Sequence, residues 1–210
     1  MVFSSLTFLT LFLPVTIGLY FLLPSIRWKN TVLLFASMVF YAWGEPLWIF
    51  ALIALTLLVW LSSAGIVRSR RLWARRLWLT LGVIGPMAVL AYVKYAGFLF
   101  APLFDLVGLS IPQVRMPLGI SFFTFQIVTY AVDVYRDQSL YQKNPFDLLL
   151  YIGCFPQLVA GPIVRYQDVA SQLTCRTTSM EGFTAGMKRF ACGLGKMCCS
   201  PTSAAESSRT

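Results

Sequence analysis

Apolar runs close to the length that crosses about 30 Å of hydrocarbon as a helix alternate along this chain with short charged turns. Leu6 to Leu23 is the first, with Pro14 predicting a kink. After Arg27 and Lys29 the chain turns apolar again from Thr31 to Trp43, and Gly44-Glu45-Pro46 breaks the run. Leu47 to Ile66 leads to a loop crowded with Arg68, Arg70, Arg71, Arg75 and Arg76, and Leu77 to Val93 leads away from it towards Lys94 and Tyr95, read as interfacial anchors. Between Phe98 and Pro117 the pattern is interrupted by Pro102, Asp105, Gly108 and Pro112, which predicts a short helix and a loop. Ser121 to Tyr135 predicts a helix on which Gln126, Thr129, Tyr130, Asp133 and Asp137 share one narrow face. Asn144-Pro145 punctuates, and Phe146 to Cys154 is a further apolar segment. The expected class is all-α, a polytopic integral membrane protein, with no internal repeat and no boundary splitting its spans into two domains.

Phe155-Pro156-Gln157-Leu158-Val159-Ala160-Gly161-Pro162-Ile163-Val164-Arg165-Tyr166 departs from the pattern of an ordinary span. Proline removes intrahelical hydrogen bonds and glycine loosens the backbone. At membrane depth the freed groups must face protein or a water-filled cavity. A chamber or tunnel beside this run is therefore the expectation.

Composition agrees with the pattern: 58% of the 210 residues are hydrophobic, 12% are charged, and mean hydropathy is +0.72, far from a soluble average. A net charge of +9 raises nucleic acid as a partner, but the cations sit in turns between apolar runs. That is the distribution expected of cytoplasmic loops, and no basic groove with stacking aromatics accompanies it. With the arginine-rich loop inside, the N-terminus falls outside and the crossings alternate consistently. Trp28, Trp43, Trp48, Trp60, Trp73 and Trp78 lie mostly near span ends, as in an interfacial belt. Five cysteines without CxxC spacing and without any histidine make no metal site.

Four stretches in order resemble the membrane-bound O-acyltransferase family, in the branch of the bacterial alginate O-acetyltransferases: Met1 to Ser5, Phe40 to Pro46, Pro117 to Gln126, and Phe155 to Tyr166. The resemblance covers residues 1 to 196 and implies the N-terminal transmembrane portion of that fold. It further implies a multi-pass protein of the bacterial inner membrane. There it would move acetyl groups from a cytoplasmic donor, whose identity the motifs leave open, to hydroxyls of alginate or a related exported polysaccharide, with periplasmic acetylation partners and membrane lipid around it. No bound cofactor is expected. Members of the family carry an essential histidine beyond the segment matched here, and this chain has none. No catalytic residue can therefore be assigned, and the chain alone is expected to be inactive.

Residues 197 to 210 turn abruptly small and polar. Met197 is ATG and Cys198 and Cys199 are TGT or TGC. Reading two bases later gives valine, leucine, then leucine or phenylalanine, the aliphatic run that the family pattern continues with. A frameshifted, disordered tail is the expectation for 197–210.

The chamber-lining candidates are Gln126, Tyr130, Asp133, Pro156, Gln157, Gly161, Pro162 and Arg165. Ionisable groups inside spans commonly mark substrate or proton paths. The plainer alternatives are that Asp133 pairs with Arg136 at the membrane surface and that Arg165 is a snorkelling cation. Two other functions remain open: a non-enzymatic transporter or assembly subunit, and transfer of another acyl group, such as alanyl, to an envelope polymer.

Overall fold

The computed structural model describes residues 7–107, 117, 119–160, 164–176 and 179–198. Every regular element among them is helical: α1 Leu13–Leu22, α2 Ile26–Gly44, α3 Trp48–Arg68, α4 Leu72–Val107, α5 Ile120–Arg136, α6 Pro145–Gly153, α7 Phe155–Ala160, α8 Tyr166–Thr174 and α9 Met180–Cys198. Met1 to Ser5 and residues 199–210 lie outside the described residues. α9 carries helical backbone through Met197 and Cys198, where sequence predicted a disordered tail.

Local chemistry explains several helix ends. Pro14 has no N–H to continue the α-helical ladder, and Leu13 N–H reaches back five residues to Phe8 O. Phe8–Phe12 is accordingly π-helical and leads into α1, with Pro14 in its first turn. Asn144 caps α6, its Oδ1 accepting from Phe146 N at 3.2 Å, with Pro145 at the first helical position. α4 differs from expectation: its helical backbone runs past Pro102 to Val107 as one 36-residue element, about 54 Å at 1.5 Å per residue.

α3, α4 and α5 pack against one another, and α6 closes the core against α2 and α3. Leu52, Val59, Phe123, Ile127, Tyr130, Leu148 and Ile152 are fully buried there. Gly82 lets α4 approach closely, since a Cβ at that position would stand 3.2 Å from Ser62 Cβ and 3.5 Å from Ala131 Cβ. Two helical stretches, Trp48–Arg68 and Leu72–Tyr95, are long and apolar enough to cross a membrane. Large apolar side chains such as Phe35, Leu47 and Phe50 stand on the outside of the bundle.

The cation-bearing turns gather at one end. Arg75 Nη2, in the first turns of α4, donates to Tyr135 O at the end of α5 at 3.1 Å. Asn30, near the start of α2, donates through Nδ2 to Leu173 O of α8 at 2.9 Å and to Asp147 Oδ1 of α6 at 3.4 Å, and accepts from Arg176 Nη2 at 2.8 Å. α6 therefore enters the bundle at this end, and by Arg165 the chain is back at it. The segment Phe146–Cys154, read from sequence as one more apolar run, is half of this re-entrant excursion. Nine residues rise only about 13 Å, and where α6 gives way to α7 the Phe155 N–H donates to Ser37 Oγ at 3.2 Å.

Candidate functional site

Two family-like stretches are brought together by the excursion. Gly119, at φ 80°, begins α5, and a Cβ there would lie 2.8 Å from Leu158 O in α7. Only glycine accepts both the left-handed backbone and the approach. Farther along α5, Gln126 Nε2 donates to Tyr151 O at 3.0 Å in a fully buried contact. Replacing Gln126 by leucine is expected to cost about 1–2 kcal/mol, because it strands a buried carbonyl. Unfolding titration in mixed detergent micelles measures it, and an unchanged midpoint would contradict the assignment.

Three tyrosines hold the chain at Val164 to Tyr166. Tyr151 Oη donates to Val164 O at 2.7 Å, one residue before Arg165. The Tyr166 ring stands edge-on to Tyr130 and Tyr151, with centroids 5.0 and 5.2 Å away. Tyr130 Oη accepts from Gln142 N at 3.0 Å, tying down the loop after α5. Burial, with a smaller effect of Asp147, pushes the Tyr166 phenol up to about 12, so it remains an O–H near neutral pH.

With Val164 and Tyr166 fixed in this way, Arg165 faces a cleft of about 310 Å³ lined by Thr129, Asp133, Arg136, Asp137, Arg165 and Gln167, with apolar neighbours. Asp133 Oδ2 is buried and has no hydrogen-bond partner. No ion pair joins it to Arg136. Asp137 is exposed, and hydrogen bonds from the Ser139 side chain and backbone N–H hold its carboxyl below the ordinary value. Two guanidiniums beside an unpartnered carboxylate oxygen can bind an anion and accept a proton or hydrogen bond from a hydroxyl.

The predicted site residues thus part company. Asp133 and Arg165 share the cleft. Gln126 and Tyr130 are buried, in hydrogen bonds to backbone. Pro156 starts α7 on an exposed surface, and Gln157 is half-buried with its Nε2 unpartnered. Gly161 and Pro162 lie outside the described residues. Tyr151, Tyr166 and Gln167 escaped the sequence reading. A tyrosine within an apolar run needs a partner for its hydroxyl, a signal by which Tyr151 could have been found.

Comparison with known proteins agrees with the motifs. The chain is 37% identical over 203 residues to alginate O-acetylase AlgI of Azotobacter vinelandii, covering 93% of this chain and 40% of that protein. It is 38% identical over 206 residues to the same acetylase of Pseudomonas aeruginosa, covering 93% and 39%. The chain is similar to the alginate O-acetylases over part of their length. Peptidoglycan O-acetyltransferase of Helicobacter pylori matches at 28% identity, covering 93% of the chain and 44% of that relative. This O-acetyltransferase relative thus spans about two fifths of the length of the curated acetylases it matches. No family model matches it, and no solved structure matches significantly.

Proposed function

We propose that these residues form the N-terminal part of an integral-membrane O-acetyltransferase that esterifies hydroxyls of an exported polysaccharide, alginate or a close analogue. The observation that carries this reading is the identity of 37–38% to alginate O-acetylases over 93% of the chain. The cation-rich end is the cytoplasmic face of a multi-pass inner-membrane protein, following the positive-inside distribution. A donor of acetyl groups approaches from that face, and the acceptor polysaccharide with its periplasmic partners from the other. Holding both in one chamber removes much of the entropy cost of their encounter.

In this reading Arg165 and Arg136 draw the anionic part of the donor into the cleft, and Asp133 orients them or accepts a hydrogen bond. The 210 residues contain no histidine, so the imidazole that usually removes a hydroxyl proton near neutral pH is not among them. The isolated chain is expected to show no turnover, and acetylation above a no-protein control would contradict this. The identity of 28% to a peptidoglycan O-acetyltransferase supports a second acceptor, a cell-wall glycan, behind the first.

A chimera tests the proposal. Residues 1–196 of this chain replace the matching part of the Pseudomonas aeruginosa acetylase in cells lacking their own copy, and acetyl ester on secreted alginate is measured. The chimera is expected to restore acetylation, and Arg165→Met or Asp133→Asn to reduce it at least tenfold at unchanged abundance. A chimera that accumulates in the membrane and acetylates neither alginate nor peptidoglycan would sink the reading.

A further inference from the structure

A second cavity lies apart from the Asp133 cleft. About 450 Å³ in volume, it runs between α1, α2 and the start of α9, walled by Leu13, Ile17, Phe21, Leu33, Phe155 and Phe183. Its size is that of a small-molecule site and its wall is almost wholly apolar. Tyr20 and Arg176 also line it, and two cations converge on the Tyr20 ring: Lys29 Nζ stands 5.1 Å and the Arg176 guanidinium 5.3 Å from its centroid.

Neither cation has a described carboxylate in an ion pair. Arg176 spends one N–H on Asn30 Oδ1, while its Nε is buried and unpartnered. Asp147, the acid that shares Asn30 with Arg176, is taken up by Asn30, Asn144 and Gln142. A buried guanidinium nitrogen without a partner is costly, and two like charges on one ring repel unless an anion joins them. An apolar slot capped by two unneutralised cations complements one class of ligand, an anion carrying a hydrocarbon chain.

We propose that this groove binds an anionic phospholipid of the surrounding membrane, its phosphate between Arg176 and Lys29 and one acyl chain along Leu13, Ile17, Phe21 and Phe155. Arg176 and Lys29 lie at the cation-rich end, where lipid headgroups of that leaflet stand. The inference rests on the membrane-embedded reading above and is independent of acetyl transfer.

The full 210-residue chain, purified in detergent and supplied with equimolar phosphatidylglycerol and phosphatidylcholine, is examined by native mass spectrometry. Phosphatidylglycerol is expected to be retained at least fivefold over phosphatidylcholine. Lys29→Met and Arg176→Met should each remove that preference, and Ile17→Trp, which fills the slot but leaves the cations, should remove retention. Circular dichroism identifies any variant that fails to fold, and Lys29, half-buried and outside the Asn30 cluster, serves if Arg176→Met does. Equal retention of the two lipids overturns the proposal. So does displacement by glycerol phosphate as effective as by phosphatidylglycerol, which would mark a site for free phosphate. A chain that needs no detergent to stay in solution would instead undo the membrane reading.

Discussion

Gly119→Val is expected to lower stability by about 3 kcal/mol, combining the cost of a β-branched residue at positive φ with displacement of a neighbouring backbone. Gly119 stands at φ 80°, and any Cβ would press on Leu158 O at 2.8 Å. A flexible side chain could give way, but a helical carbonyl of α7 moves only with its helix. The substitution therefore separates α5 from the re-entrant segment. The measurements are an unfolding titration in mixed micelles and the alkylation rate of Cys154, which lies half-buried at the end of α6. Faster alkylation should accompany the loss of stability, and Gly119→Ala should show the same effects more weakly. Wild-type behaviour of Gly119→Val would mean that the left-handed turn does not exist.

Asn30→Ala is the second large effect, at about 2–3 kcal/mol for a buried amide that hydrogen-bonds charged groups. Asn30 is 7% exposed and joins three elements far apart in sequence. Its amide donates to α6 and α8, and its carbonyl receives Arg176. Alanine takes away the bonds that Asn30 makes to the Leu173 carbonyl and the Arg176 guanidinium. The same micelle titration reads the loss. Lipid retention in the Tyr20 groove should fall as well, since Arg176 loses the contact that orients it. A variant with unchanged stability would show that α2, α6 and α8 are joined some other way.

Both residues show how much of this protein can be read along the chain. Apolar runs, their proline and glycine interruptions and the placement of cations are local properties, and they located α1 to α6 to within a few residues in most cases. The main exception is α4, whose helical backbone runs on past Pro102 to Val107. The four motifs likewise pointed to the relatives that the chain matches, because they are strings of adjacent residues. The helical period put Gln126, Thr129, Tyr130, Asp133 and Asp137 on one stripe, but α5 ends at Arg136 and Asp137 follows it in extended backbone.

A period cannot tell which part of such a stripe meets a cleft and which is absorbed by a neighbouring helix. That depended on α6 and α7 turning back within the bundle, so that Tyr151 O took up Gln126 while Asp133 was left beside Arg165. Nor does any local pattern bring Asn30 to Arg176, or Lys29 and Arg176 to one tyrosine ring. The sequence by itself determined where helices form and which residues carry charge, since both follow from neighbours in the chain. Only the tertiary structure decided which charges found partners, because that is set by crossings between segments that are not neighbours in the chain.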